Sequence, residues 1–444
     1  MTDLPGYKGK ILKKLKKAEV KIGDIISIEK NKSTYEGTLI PSSEYGSKKH
    51  IVLKQRTGYN IGVEIDPTTQ ISKVGEGSKP SFEVPPKPKH TEDLSKVTIV
   101  STGGTVASRV DYRTGGVRPT LSANDLYSIV PELSEIAVIE ADILFNLLSE
   151  NITPDHWSKI AKTVGKHIIK GSAGVVIAHG TDTMAYTAAA LSFAVQGLSV
   201  PVILVGSQRS ADRPSSDAAT NLIGAVTAAA KGQFAEVVIA MHETINDETI
   251  IFHRGTKVRK CHTSRRDTFK SINSLPLAKL KNGQITMIIE DFNPRGGDQK
   301  LIIRPYFDEK VTLIKIHPGI DPRIIDWYID QNYKGIILEG TGLGHTSEYC
   351  FPAIQRAINN DIVVGMTSQC IWGRVNMNVY EAGRDLMKIG VLPLEDMLPE
   401  TALVKLMWIL KTFNPKDVDM SKRLMLENFA GEINSRTILQ NRSK

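Results

Sequence analysis

The sequence predicts an α/β protein of two domains with parallel sheets, preceded by a small all-β barrel domain, and three observations lead there. Apolar strand-like runs alternate with longer helical segments from Val97 onward, short β-branched runs punctuated by turn residues fill the chain before it, and a proline-rich stretch separates the two styles. At 444 residues the chain exceeds what one ordinary core accommodates. Hydrophobic residues at 41% and charged residues at 23% exclude a disordered chain. No run approaches the ~18 uncharged apolar residues of a membrane span, and the opening MTDLPGYKGKILKK lacks the apolar stretch of a signal peptide, so a cytoplasmic location and no membrane are expected. Cys261, Cys350 and Cys370 are widely spaced with no CxxC pair, which favours reduced thiols over disulfides or zinc.

Taken in order, Tyr7 to Val20 places Ile11, Leu12, Leu15 and Ala18 on one helical stripe among lysines and reads as a short basic amphipathic helix or arm. The runs GDIISIEK, TYEGTLIP, HIVLKQR and NIGVEI then alternate in the manner of strands, giving a barrel domain over residues 1–84. The segment SKPSFEVPPKPKHTEDLS has four prolines and no helical period, so a linker is placed at 85–96. From 97 to 295, VTIVS, AGVVIAHG, PVILVGS and EVVIAMHE alternate with helical segments at Thr183–Val195 and Ala218–Lys231, the pattern of a parallel sheet covered on both faces. Turn residues and charges interrupt it over a connection at 296–309. A smaller α/β domain, 310–444, restarts it with VTLIKIHP, KGIILEG and DIVVGMTS and closes with a helix or two and a frayed polar end. Charge is uneven: residues 1–96 hold 18 Lys and Arg against 12 Asp and Glu, the rest 38 against 36. A basic amino-terminal region suits RNA, an acidic partner, or plain solvation.

Two turns are candidates to carry chemistry, each of which read alone also fits an ordinary strand-to-helix turn. STGGTVA, Ser101 to Ala107, follows a strand, and Gly103 and Gly104 let the backbone approach a ligand beside Thr105; it has neither GxGxxG spacing nor a P-loop lysine. HGTDT, His179 to Thr183, follows the strand GVVIA, and although its hydroxyls and carboxylate suit a helix cap, the pair of turns puts two threonines and an aspartate at one edge of a parallel sheet. A threonine nucleophile needs a base or a relay, for which the stretch Arg254 to Ser271 offers Lys257, Lys260 and Lys270 without choosing among them.

TGGT at 102–105, HGTDT at 179–183, PVILVGSQR with its following SSDAATNL, and KCHTSRRDTFKS at 260–271 together resemble the two-threonine L-asparaginases over about Val97 to Pro399. The resemblance implies a two-domain L-asparaginase-like body in which Thr105 is the acylated nucleophile, Thr181 and Asp182 the second threonine and its aspartate, and Lys260 the lysine of the relay. It implies that Gly104 lines the substrate site, Tyr112 is a lid tyrosine, and Ser149 and Glu150 hold the substrate's α-carboxylate and α-amino groups. Glu150 departs from the glutamine of free-standing enzymes. Either threonine is open as the first to attack, and residues given across a dimer, near Gly340 to His345, are unassigned.

The amino-terminal barrel and the SENITP phrase with its S-E pair are similar to the D subunits of archaeal glutamyl-tRNA(Gln) amidotransferases, a ligase complex. That resemblance implies hydrolysis of glutamine or asparagine and delivery of ammonia to an E subunit that activates Glu-tRNA(Gln) with ATP and Mg²⁺. It implies a homodimer core within an α2β2 complex, tRNA contacted mainly by the partner, and no cofactor or metal in this chain. A free-standing asparaginase with an amino-terminal extension is the alternative. An RNA-binding module is a third reading, against which the barrel shows no RNP-like aromatic pattern and is expected to bind RNA weakly alone.

Overall fold

The computed structural model of the chain describes residues 4–31, 33–42, 48–55, 60–76, 94–104, 108–110, 117–119, 122, 123, 126, 127, 130–209 and 216–437. Thr105 and Tyr112 lie outside the described residues. Helix α1 (Gly9–Lys17) precedes strands β1 (Ile25–Lys30), β2 (Ser33–Leu39), β3 (His50–Lys54), β4 (Asn60–Glu64) and β5 (Gln70–Gly75), which pair antiparallel in the order β4-β3-β2-β1-β5. Ile26, Ile28, Leu39, Ile51, Leu53 and Val63 form its core together with Ile11 and Leu15 of α1. The segment read as a helix or an arm is therefore a helix, and it belongs to the core. Tyr7 Oη donates to Ile40 O and accepts from Val52 N, while Lys14 Nζ donates to the carbonyls of Asp66, Pro67 and Thr69, so the segment is tied both to the sheet and to the turn between β4 and β5.

In the body, β6 (Lys96–Gly103), β7 (Val138–Leu147), β8 (Gly174–Ala178), β9 (Val202–Val205) and β10 (Val237–His242) run parallel in the order β7-β6-β8-β9-β10. Their interior positions serve two cores at once. Val175 and Ile177 of β8 join Trp157, Ile160 and Ala188 on one face, and Val176 and Ala178 join Leu222 and Ala225 on the other. Helices α2 (Pro154–Ile169) and α3 (Met184–Ala194) supply the first cover and α4 (Ala218–Lys231) the second.

The sheet departs from the parallel one expected. Beyond β10 it continues antiparallel through β11 (Thr249–Arg254), and after a separate hairpin of β12 (Val258–Lys260) and β13 (Phe269–Ser271) it is completed by β14 (Ala278–Lys281) and β15 (Gln284–Met287). The loop from β10 to β11 is too short for a helical crossover, so the chain has to return antiparallel.

The smaller sheet is parallel, in the order β16 (Val311–Lys315), β17 (Gly335–Gly340), β18 (Val363–Ser368), β19 (Leu392–Pro393), with α5 (Arg323–Asp330), α6 (Phe351–Asn359) and α7 (Glu381–Ile389) between strands. Helix α8 (Pro399–Thr412) then crosses to the larger domain, where Trp408 stacks on Phe193 of α3 at 5.6 Å between ring centroids. After α9 (Val418–Leu426) the chain does not fray at once: Glu432 is fully buried and pairs with the equally buried Lys405 of α8 at 2.6 Å. Among the described residues no helix is long and apolar enough to cross a membrane.

Removing one partner of such a pair strands the other charge in low dielectric. Lys405→Met is expected to lower the unfolding free energy by about 3–5 kcal/mol, and adding Glu432→Gln should recover a large part of it, both read by urea denaturation.

Candidate active site

Strand order fixes where a ligand can sit. From β6 the chain leaves to β7 on one side, and from β8 it leaves to β9 on the other, so β6 and β8 flank the point where the winding reverses and a crevice opens at their carboxyl ends. The register pairs Ala178 with Ser101, so the turns that continue each strand, Thr102–Gly104 and His179–Asp182, lie side by side. Thr102 Oγ1 donates to Ala178 O at 2.9 Å across them. Gly104 has φ +77°, and a Cβ there would fall 2.8 Å from Gly180 N. Only glycine permits both that conformation and that approach. On its other side Gly180 faces Ser149, whose Cβ lies 2.8 Å from where a Cβ at position 180 would stand. Ser149 opens a 3₁₀ turn directly after β7, so three neighbouring strands each bring one turn to the crevice.

Lys260 comes from the β12–β13 hairpin. Its Nζ donates to Thr181 Oγ1 at 2.9 Å and to Asp182 Oδ1 at 2.7 Å. The other two lysines open in the sequence are engaged elsewhere: Lys257 with Asp396 at 2.8 Å, fully buried, and Lys270 with Asp267 at 3.1 Å. Arg259, next to Lys260, turns the opposite way to Glu400 at the start of α8, 2.8 Å away. Burial pushes the Glu400 carboxyl up, against the lowering pull of Arg259. The strand that presents Lys260 is thus fixed to the smaller domain through Lys257 and Arg259, both of which precede Lys260.

The capping alternative for HGTDT does not describe the side chains. Thr183 is the N-cap of α3 by position but makes no side-chain cap; its hydroxyl donates instead to Ser149 O at 2.7 Å, tying this turn to the one after β7. His179 is wholly buried, with Nδ1 2.6 Å from Gly180 O and Nε2 2.9 Å from Thr187 Oγ1, and burial pushes its ring down to about 4. It holds the turn as a neutral imidazole. Glu150, beside Ser149, is exposed.

The structure brings Gly104, Ser149, Thr181, Asp182 and Lys260 into one crevice. Behind it lies a bracing network that the sequence reading missed. Asp217 and Asn221, four apart at the start of α4, face one another: Asp217 accepts from Gln208 N and Arg209 N, and Asn221 Nδ2 donates to Asp217 and to Gly206 O. Gly206 abuts the Thr181 methyl, 2.7 Å from where its own Cβ would stand. Buried His242 extends the chain, 2.6 Å from Asn221 Oδ1 and 3.0 Å from Asp247 Oδ1. The four-residue spacing in SDAATNL was the available signal.

Residues 96–292 match the family model "Asparaginase, N-terminal", and residues 310–425 match "Glutaminase/Asparaginase C-terminal domain". The structure is similar to the thermostable L-asparaginase of Thermococcus kodakarensis, at 33% identity and a TM-score of 0.68 over 77% of this chain and all of that one. It is also similar to L-asparaginase I of Vibrio cholerae, at 28% identity and a TM-score of 0.67 over 77% of this chain and 99% of that one. The body is of the L-asparaginase class. The remainder decides further, since residues 20–74 match "GatD N-terminal domain". The D subunit of the Methanopyrus kandleri glutamyl-tRNA(Gln) amidotransferase is 48% identical over 99% of this chain and 97% of its own length, and that of Pyrococcus abyssi is 48% identical over 94% and 96%. The chain belongs to the family of glutamyl-tRNA(Gln) amidotransferase D subunits.

Because both its φ and its packing require glycine, Gly104→Ala is expected to cost about 1–3 kcal/mol of stability and to move the Gly104 turn away from Gly180. A crystal structure of the variant together with a urea titration reads both.

Proposed function

We propose that this chain is the amide-hydrolysing subunit of a tRNA-dependent amidotransferase, releasing ammonia from glutamine or asparagine for the conversion of Glu-tRNA(Gln) to Gln-tRNA(Gln). The observation that carries the reading is the contact of Lys260 Nζ with both Thr181 Oγ1 and Asp182 Oδ1 at the β6/β8 crevice. In this reading Thr105 attacks the side-chain amide carbon, its proton passes through the site to the leaving nitrogen, and ammonia departs to leave an acyl ester. Turn amides such as those of Gly104 and Thr181 face the developing oxyanion. Water positioned by Thr181, with Lys260 and Asp182 governing its proton, then releases glutamate or aspartate. In this reading the Lys260 and Asp182 pair, in contact with Thr181 Oγ1, serves the water step.

Substrate α-groups are assigned to Ser149 and Glu150, and a carboxylate at 150 receives an ammonium by charge as well as by hydrogen bond. Tyr112 is assigned the lid-tyrosine role that the family resemblance implies. The complex is a homodimer of this chain with an E subunit on each copy, α2β2, in which the E subunit carries ATP, Mg²⁺ and most of the tRNA contact; this chain is assigned no cofactor. A free-standing asparaginase accounts for the body but gives no role to residues 20–74.

Ammonia release from glutamine and asparagine is to be measured for the chain alone and with the E subunit, ATP and Glu-tRNA(Gln). Coupled release with amidated tRNA is expected; full hydrolysis by the chain alone, indifferent to partner and tRNA, contradicts the amidotransferase. In the same assay Lys260→Met is expected to lower kcat by about 10²–10⁴ with little change in Tm, because Lys260 lies at the crevice and not in either core.

A further inference from the structure

The amino-terminal domain treats its lysines in two ways. Two of those in the sheet are paired with carboxylates: Lys30 lies 3.5 Å from Glu64 and 3.6 Å from Asp66, and Lys73 lies 3.1 Å from Asp24. Helix α1 carries five lysines in GKILKKLKK and no acidic residue, and only Lys14 is used internally, on the carbonyls of the 66–69 turn. Lys10, Lys13, Lys16 and Lys17 are exposed, and among the described residues none has a carboxylate at ion-pair distance. At 100° per residue these four fall in one arc of about 120° opposite the buried pair Ile11 and Leu15, and they span about 10 Å along the axis.

The arrangement works against the helix that holds it. Pairs 10/13, 13/16 and 13/17 put like charges on neighbouring turns. Lys16 and Lys17 complement the carboxyl end of the helix dipole, but Lys10 in the first turn, with Lys8 exposed before it, opposes the amino end. Burial of Ile11 and Leu15, the Tyr7 hydrogen bonds and the Lys14 anchor nonetheless keep this array rigid. Rigid, unpaired and uniformly positive, it matches a polyanion. Protein interfaces favour aromatic residues and arginine and are depleted in lysine, whereas every side chain on the outer arc of α1 beyond Gly9 is a lysine.

We infer that the outer face of α1 is a phosphate-backbone contact for RNA, engaged when the tRNA substrate is held by the complete complex. The inference rests on the functional reading above. Phosphate contacts position an RNA without reading its sequence, and four of them give weak affinity alone but add to a contact made elsewhere in the same assembly. The absence of an RNP-like aromatic pattern is consistent with that, since nothing here stacks on bases.

The test uses the full chain with its partner subunit, comparing the unsubstituted complex with one carrying Lys10→Gln, Lys13→Gln, Lys16→Gln and Lys17→Gln. Binding of Glu-tRNA(Gln) is measured directly across a salt series. The variant is expected to bind at least about tenfold more weakly near 0.1 M salt, with a slope of log affinity against log salt shallower by about 3–4, as ~0.7–0.9 per lost phosphate contact requires. Amide hydrolysis by the chain alone should not change. Equal affinity and slope overturn the inference and leave a solvated surface. Unchanged RNA binding with weaker association of the partner also overturns it, assigning the face to an acidic protein. If the unsubstituted complex binds the tRNA but fails to amidate it, the functional reading fails separately, because the binding series does not depend on amidation.

Discussion

The double contact of one ammonium, Lys260 on Thr181 and on Asp182, is the constraint around which the larger domain is arranged. Lysine has a long flexible stem, and holding its head within 3 Å of two oxygens requires that everything carrying those atoms be fixed first. Thr181 and Asp182 are fixed by β8, by Thr183 reaching back to Ser149, and by buried His179. Lys260 is fixed by a three-residue strand whose side chains alternate. Arg259 reaches Glu400 on one side while Lys260 reaches the crevice on the other, and Lys257 at the foot of the strand is buried against Asp396.

This places part of the site's precision in the second domain. Asp396 also accepts from Asn434, so the residues beyond α9 close over the same pair, and Lys405 with Glu432 repeats the device a short distance on. Buried ion pairs of this kind contribute little net stability, because desolvation opposes their attraction, but they tolerate only one alignment of the pieces they join. The alternation of α and β elements does not require the smaller domain to sit in one orientation against β12. These pairs do.

Much of the architecture was legible in the sequence because its signals are local. Apolar runs of strand length between helical segments give the parallel core of both domains, and the glycine and threonine turns after β6 and β8 announce themselves by position. The antiparallel extension through β11, β14 and β15 was not visible, since those strands are short and their direction is set by loop length alone. The sequence leaves the first segment open between helix and arm because Ile11 and Leu15 bury equally well against a sheet or against a partner; only the sheet core decides. Of the site, the motif order supplied the residues, but among Lys257, Lys260 and Lys270 composition gives no preference. The choice is made by hairpin register and by which carboxylate each lysine can reach. The Asp217–Asn221 pair is local and leaves a four-residue spacing in the sequence, whereas its extension to Gly206 and His242 depends on which strand ends α4 packs against.

The proposed chemistry stands most directly on the order of events at the two threonines, with Lys260 and Asp182 serving the water step. Mass spectrometry of acid-quenched Lys260→Met chain after incubation with glutamine tests it. A glutamyl adduct is predicted to accumulate on the peptide containing Thr105 and to be lost on Thr105→Ala. An adduct carried by Thr181, or one that persists when Thr105 is replaced, contradicts that order.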